Sequence, residues 1–188
     1  MVAKKIYILL LIFVPVYGFS QIRKPITGFL GVPFGSDRQT VQAALLAKGA
    51  TLDKDSSTDE MLAFTNVAIE NRKNAALGVQ FVKGKAYAAA FIFPEQPLDK
   101  PIEFYNNLVR DFNEIYGLSE SHKDFTSPYH EGDGKEMEAI QAEKAVYLTM
   151  WKDEANDNAV TITIGVNLYV YITIHNQKLG ELAEEKNH

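Results

Sequence analysis

From Val160 to His175 the chain alternates with a period of two. Val160, Ile162, Ile164, Leu168, Val170, Ile172 and Ile174 form one set, and Thr161, Thr163, Tyr169, Tyr171, Thr173 and His175 form the other. Only an extended strand sends successive side chains to opposite faces, so this segment is a hairpin turning at Gly165-Val166-Asn167. The aliphatic set needs a cover. The polar and aromatic set then faces the other way, because a shift of one residue in register would reverse both.

Two segments with helical spacing supply covers. Ser36-Asp37-Arg38-Gln39 reads as a capping box that starts a helix at Ser36, with Val41, Ala44 and Leu45 on one stripe and Gly49 closing the last turn. Asp99 caps a second helix with Pro101 in its first turn, and Ile102, Tyr105, Val109, Phe112 and Tyr116 form a stripe that ends at Gly117. Each helix is followed by three predicted strands: 61–69, 76–82 and 86–93 in the first half, then 145–151, 159–164 and 168–174 in the second. Residues 70–74 form a charged hairpin loop and Lys83-Gly84-Lys85 a tight turn. Residues 87–93 are apolar on both faces, as a central strand must be.

The expected fold class is therefore α+β. Two helix-plus-three-strand meander repeats, residues 28–97 and 98–176, form one mostly antiparallel sheet with the helices on one face. Residues 119–144 are an insertion with a short helix over 135–143, and the tail over 177–188 is a polar short helix or a frayed end with no assignable role.

Compartment is read from the first twenty residues. Lys4 and Lys5 precede an apolar run over 6–16, and Gly18-Phe19-Ser20 places small residues where a signal peptidase inspects the chain, so residues 1–20 are a signal peptide and Gln21 the mature N-terminus. The run is too short and too broken by Pro15 and Gly18 for a membrane span, which needs about 20 apolar residues. Residues 21–188 make one domain, periplasmic or secreted. The chain has no Cys, hence no disulfide and no thiol for lipid. Its net charge of -5 and the lack of a concentrated basic face exclude nucleic acid and anionic membrane as natural partners.

The stretch Gly28-Phe29-Leu30-Gly31-Val32-Pro33-Phe34-Gly35-Ser36-Asp37, followed by a capped helix ending in Lys48-Gly49 and a meander, resembles the opening of two groups of small exported bacterial proteins. These are the β-lactamase-inhibitor-protein-like type and the SmpA/OmlA outer-membrane-assembly lipoproteins. The resemblance implies a helix-plus-meander unit with an exposed sheet face, duplicated in tandem in the inhibitor type. Unlike the lipoproteins, this chain offers no Cys for acylation.

The remaining motifs are weighed on their chemistry. Gly28, Gly31 and Gly35 lack the spacing of a phosphate loop. Residues 53–59 alternate oxygen ligands as a calcium loop does, but Thr58 replaces the Gly of the sharp turn and Phe64 the closing Glu. The insertion holds His122, Asp124, His130, Glu131, Asp133, Glu136 and Glu138 without metal-site spacing. A metal-assisted hydrolase using His122, His130, Glu131 and Asp133 is the alternative function.

The preferred reading is a non-catalytic binding or protein-interaction module with no cofactor. Tyr169 and Tyr171 serve as aromatic anchors, with Thr161, Thr163, Thr173 and His175 as hydrogen-bonding surroundings, and Tyr147 and Trp151 extend the platform. The partner is an envelope or extracellular protein or a carbohydrate, with a homodimer contact as the competing use of the same face.

Overall fold

The computed structural model describes residues 24–185, so the expected signal peptide lies outside the described residues. The elements are β1 (Gly28–Phe29), β2 (Val32–Pro33), α1 (Arg38–Ala47), β3 (Thr51–Asp53), β4 (Met61–Ile69), β5 (Arg72–Val82) and β6 (Lys85–Ile92) in the first half. The second half holds α2 (Pro101–Tyr116), β7 (Glu120–Phe125), α3 (Glu136–Gln141), β8 (Ala145–Asp153), β9 (Asn158–Ile164), β10 (Val170–Asn176) and α4 (Gln177–Glu184). Apart from the β1–β2 ribbon, the strands form one eight-stranded antiparallel sheet in the order β3-β4-β5-β6-β10-β9-β8-β7. The fold is α+β. Among the described residues no helix is long and apolar enough to cross a membrane.

Each half contributes four consecutive strands, not the three expected, and the halves join where β6 pairs with β10. Residues 86–92 thus hold the central place that their apolar character requires. The two extra strands are the sheet's edges. β3 is three residues long, and β7, Glu-Ser-His-Lys-Asp-Phe, is exposed along nearly its whole length. A charged edge resists pairing with other chains, and the same charge hides the strand from hydrophobic pattern reading. Part of the supposed insertion is therefore sheet.

Pairing register sorts every strand residue to a face. Leu62, Val79, Ala89, Ile174, Val160 and Trp151 lie in one row from β4 to β8. Phe64, Leu77, Phe91, Ile172, Ile162 and Thr149 lie in the next. All twelve are buried. Tyr105 of α2 reaches this face through a 2.5 Å hydrogen bond between its hydroxyl and that of Thr149, and Phe112 packs on Trp151 with ring centroids 5.7 Å apart. α2 contacts β9 and β10, α1 contacts β3 and β6, and α3 contacts β8.

Local chemistry departs from the expected caps and turns. Asp37, rather than Ser36, caps α1 by accepting from the Thr40 N–H at 2.8 Å, while the Ser36 hydroxyl donates back to the Pro33 carbonyl at 2.7 Å. α2 begins after Lys100 without a side-chain cap, so Asp99 has no capping role. The 70–74 loop shrinks to a turn at Glu70-Asn71, because Arg72 already belongs to β5. Its guanidinium bridges to Asp111 of α2 at 2.7 Å and lies over the Phe104 ring, fastening the hairpin to the helix. The Lys83-Gly84 turn is as expected, with φ of 49° and 74° in the mirror-image geometry that tight hairpins favour.

Gln96 locks the junction between the halves. Buried after β6, its amide nitrogen donates to the Leu168 carbonyl and its amide oxygen accepts from the Val170 N–H, both at 2.8 Å. Gln96→Leu keeps the bulk and leaves both backbone groups unpaired in the interior. The expected cost is about 2–4 kcal/mol of unfolding free energy, read from urea denaturation; an unchanged midpoint and slope would show the bridge to be dispensable.

Candidate functional site

The face opposite the buried rows is chemically unlike the rest of the chain. Asp53, Ala63, Gly78, Ala90, Thr173, Thr161, Met150 and Glu120 form one continuous row across all eight strands. Carboxylates stand at its two ends and no ionisable side chain lies between them. The flanking rows place a basic side chain at the β7–β8 end, and the ionisable groups inside them are the Tyr171 phenol and the His175 imidazole. One runs Ala76, Ile92, Tyr171, Thr163, Leu148 to His122, and the other Met61, Gln80, Ala88, His175, Ala159 to Lys152.

The expected anchors occupy this face in unequal ways. Tyr171 is half-buried between Ile92 and Thr163. Its ring lies over Gly165, where a Cβ would come within 2.8 Å of Tyr171 Cε2. Its hydroxyl accepts from the Asn167 side-chain amide at 2.8 Å, so glycine beneath and asparagine at the tip hold the ring in one orientation. Thr161, Thr163 and Thr173 are half-buried beside it. Tyr169 stands in the turn before β10, with its carbonyl accepting from Gly165 N and its N–H donating to the Asn167 side chain.

His175 is half-buried between Ala88 and Ala159, and burial lowers its pKa, which keeps the imidazole neutral at neutral pH. Its end of the face is partly covered by α4, which contacts β5, β6 and β10. A Cβ on Gly180 would stand 3.7 Å from the Tyr87 ring, and Ala183 shares a hollow with Met61 and Gln80. Of the two forms expected for the tail, the short helix is the one formed, and its N-cap, Asn176, accepts from Leu179 N at 2.8 Å.

Tyr147 and Trp151 do not extend the platform. Both are 3% exposed and sit on the buried face. The Trp151 indole N–H is shared between the Asn113 side chain and the Gly117 carbonyl at 3.1 and 3.0 Å. Tyr147 stacks edge-on against Tyr105 and Phe125. Alternation over 145–153 permits either face; the docking of α2 on Thr149 and Trp151 decides it. The residues of that strand that do reach the outer face are Val146, Leu148, Met150 and Lys152.

The sequence reading missed a depression on the half of the face nearest β3. Ala63, Ala76, Gly78 and Ala90 make its floor, with Met61 and Tyr171 standing beside it and Asp53 at its rim, enclosing about 270 Å³. Small residues scattered over three strands carry no signal until register aligns them. Hydrogen bonds from Ser56 hold the Asp53 carboxyl below its ordinary pKa, so it remains ionised.

The residues of the alternative metal site are engaged separately. His122 stands on β7 opposite Leu148, whereas His130 lies in the loop before α3. Asp133 accepts from the backbone N–H groups of Lys135 and His130 at 2.8 and 3.1 Å, which lowers its pKa. Glu131 pairs with Lys123 at 3.6 Å. Among the described residues no group of three or more His, Asp or Glu side chains could hold a metal ion. Comparison with family models, with curated proteins and with solved structures found no match to the chain.

Burial, followed by the nearby carboxylates of Glu136 and Glu131, pushes the Tyr147 phenol up to about 12 from 10.0. The folded chain therefore keeps this proton at pH values where the unfolded chain has released it. Stability present below pH 10 should fall as pH rises toward 12, and Tyr147→Phe should flatten that loss in urea titrations run across this window. An equally steep loss in the variant would remove Tyr147 from the account.

Proposed function

We propose that this protein is an exported, non-catalytic interaction module that binds an envelope or extracellular protein through the sheet face carrying Tyr171, Thr173, His175, Thr161 and Thr163. The observation that carries the reading is the row from Asp53 to Glu120, uncharged between its ends in a chain of which 23% is charged. A face without charge is cheap to strip of water, and apolar area removed from water is what drives association.

Size favours a macromolecule. Eight strands at about 4.8 Å spacing span roughly 34 Å. With three residue rows the face approaches the roughly 800 Å² that one partner contributes to an ordinary protein interface. Tyr171 suits the role of anchor, because its ring is already ordered by Gly165 and Asn167 and loses little freedom on binding. A saccharide would draw on many hydroxyl and amide groups, and between its ends the central row offers two, the hydroxyls of Thr161 and Thr173, beside Ala63, Gly78, Ala90 and Met150.

The same reading treats residues 28–97 and 98–176 as two copies of one helix-plus-meander unit. Its support is the strand order, in which β6 to β3 and β10 to β7 run outward from a common centre. It also keeps the kinship with the β-lactamase-inhibitor-protein-like and SmpA/OmlA types as a proposal. Export rests on the signal-like residues 1–20, and N-terminal sequencing of the protein from fractionated cells should return Gln21 in the periplasm or medium; an intact Met1 in the cytoplasm would overturn it.

The binding claim is tested by cross-linking in intact cells, identification of the captured protein, and titration of the purified pair. Tyr171→Arg places a charge in the centre of the face and should weaken binding at least about tenfold while far-UV circular dichroism stays unchanged. An affinity equal to that of the unaltered chain would reject this face as the site.

A further inference from the structure

We propose that the depression on the β3 side of this face is a socket for one bulky apolar side chain of a protein partner, flanked in that partner by lysine or arginine. The inference rests on the face being the binding surface and adds the chemistry of what it receives.

Three observations lead to it. The first is size: about 270 Å³ lies below the roughly 300–1,000 Å³ of pockets that enclose small molecules. Open on one side, it suits a single inserted side chain better than an enclosed ligand. The second is its floor. Ala63, Gly78 and Ala90 stand side by side in register on β4, β5 and β6, so the backbone itself comes close to any visitor, while Met61 and Tyr171 rise at the sides. Gly78 is filled already by its neighbour to the extent that a Cβ there would sit 3.3 Å from Met61 Sδ. Beside it the same face is already packed by protein, since α4 lies on β5, β6 and β10 and its Ala183 lines the adjoining hollow with Met61.

The third observation is charge. At the β7 edge the row's terminal carboxylate, Glu120, is answered by Lys152 at 2.8 Å. At the β3 edge Asp53 has no such partner among the described residues: its Oδ1 accepts from the backbone N–H groups of Asp55 and Ser56 at 3.1 Å. Asp55 and Asp59 follow in the same loop, with Lys54 as the cation between Asp53 and Asp59. Arg38 reaches this loop but donates to the backbone carbonyls of Thr58 and Asp59 and lies over the Phe81 ring; with its charge counted, the rim remains net negative. An apolar socket with one acidic rim selects an apolar side chain whose neighbours are basic, by field complementarity at the rim and area burial at the floor.

The test uses the mature chain and three end-capped tripeptides, Lys-Phe-Lys, Glu-Phe-Glu and Lys-Ala-Lys, titrated to about 10 mM with binding followed by methyl and amide NMR. The expected result is millimolar binding of Lys-Phe-Lys, shifts centred on the Ala63, Ala76 and Ala90 methyls, weakening with salt, and at least about fivefold weaker binding of the other two. Asp55→Lys with Asp59→Lys, both at exposed positions, should reduce Lys-Phe-Lys affinity about threefold or more, and Ala90→Leu should fill the socket and abolish the shifts. Equal response to the three peptides, shifts centred elsewhere, or no binding by Lys-Phe-Lys overturns the socket. Should Ala90→Leu fail to fold, the charge-reversed variant decides alone. If the captured cellular partner is lost with Tyr171→Arg but not with Ala90→Leu or the charge reversal, the face stands and the socket falls; if none of these variants weakens it, both fall.

Discussion

The antiparallel pairing of β6 with β10 is the constraint on which the rest of the molecule depends. Among the described residues it is the one ladder between the two halves of the sheet, and it sets Ile172 against Phe91 and Ile174 against Ala89. Those four residues lie in the middle of the buried rows, where each large aliphatic or aromatic side chain contributes about 1.5–3 kcal/mol on leaving water. Gln96 closes the same junction by pairing two backbone groups of the second half from a loop of the first. Were this ladder displaced by one residue, each four-stranded half would present its apolar row to opposite sides and no single core could form.

The outer face follows from the inner one without separate design. Period two means that fixing Ile172 and Ile174 inward sends Tyr171, Thr173 and His175 outward, and register then carries the same division through Ala90, Gly78 and Ala63 on one side and through Thr161 and Met150 on the other. The absence of charge along that line is a property of sequence, but its continuity is a property of pairing. Charge collects where the sheet ends, at Asp53 and at Glu120, and the edge strands use it against unwanted pairing. The unequal compensation of these two carboxylates, one by Lys152 and one by backbone N–H groups, gives the face a direction that the strand order by itself does not have.

The helices impose the remaining choices. α2 buries Tyr105, Leu108 and Phe112, and its contacts with Thr149 and Trp151 commit β8 to one orientation. That commitment turns Tyr147 and Trp151 from candidate surface aromatics into core and brings Leu148 and Met150 to the outer face. α4 acts on the other side: it is a short helix with one side-chain cap, and it narrows the face at the His175 end.

What the sequence determined by itself was whatever depends on neighbours along the chain. The alternation over 160–175 specified a hairpin and its two rows, the stripes over 41–45 and 102–116 specified helices, and Lys83-Gly84 specified a tight turn, because each rests on backbone periodicity or on the conformational preference of adjacent residues. The tertiary structure decided what depends on distant ones. It alone could recruit the polar edge strand β7, choose the face of Trp151, and align Asp53 with Ala63, Gly78 and Ala90, since register between strands is set by the packing of the whole core rather than by any local pattern.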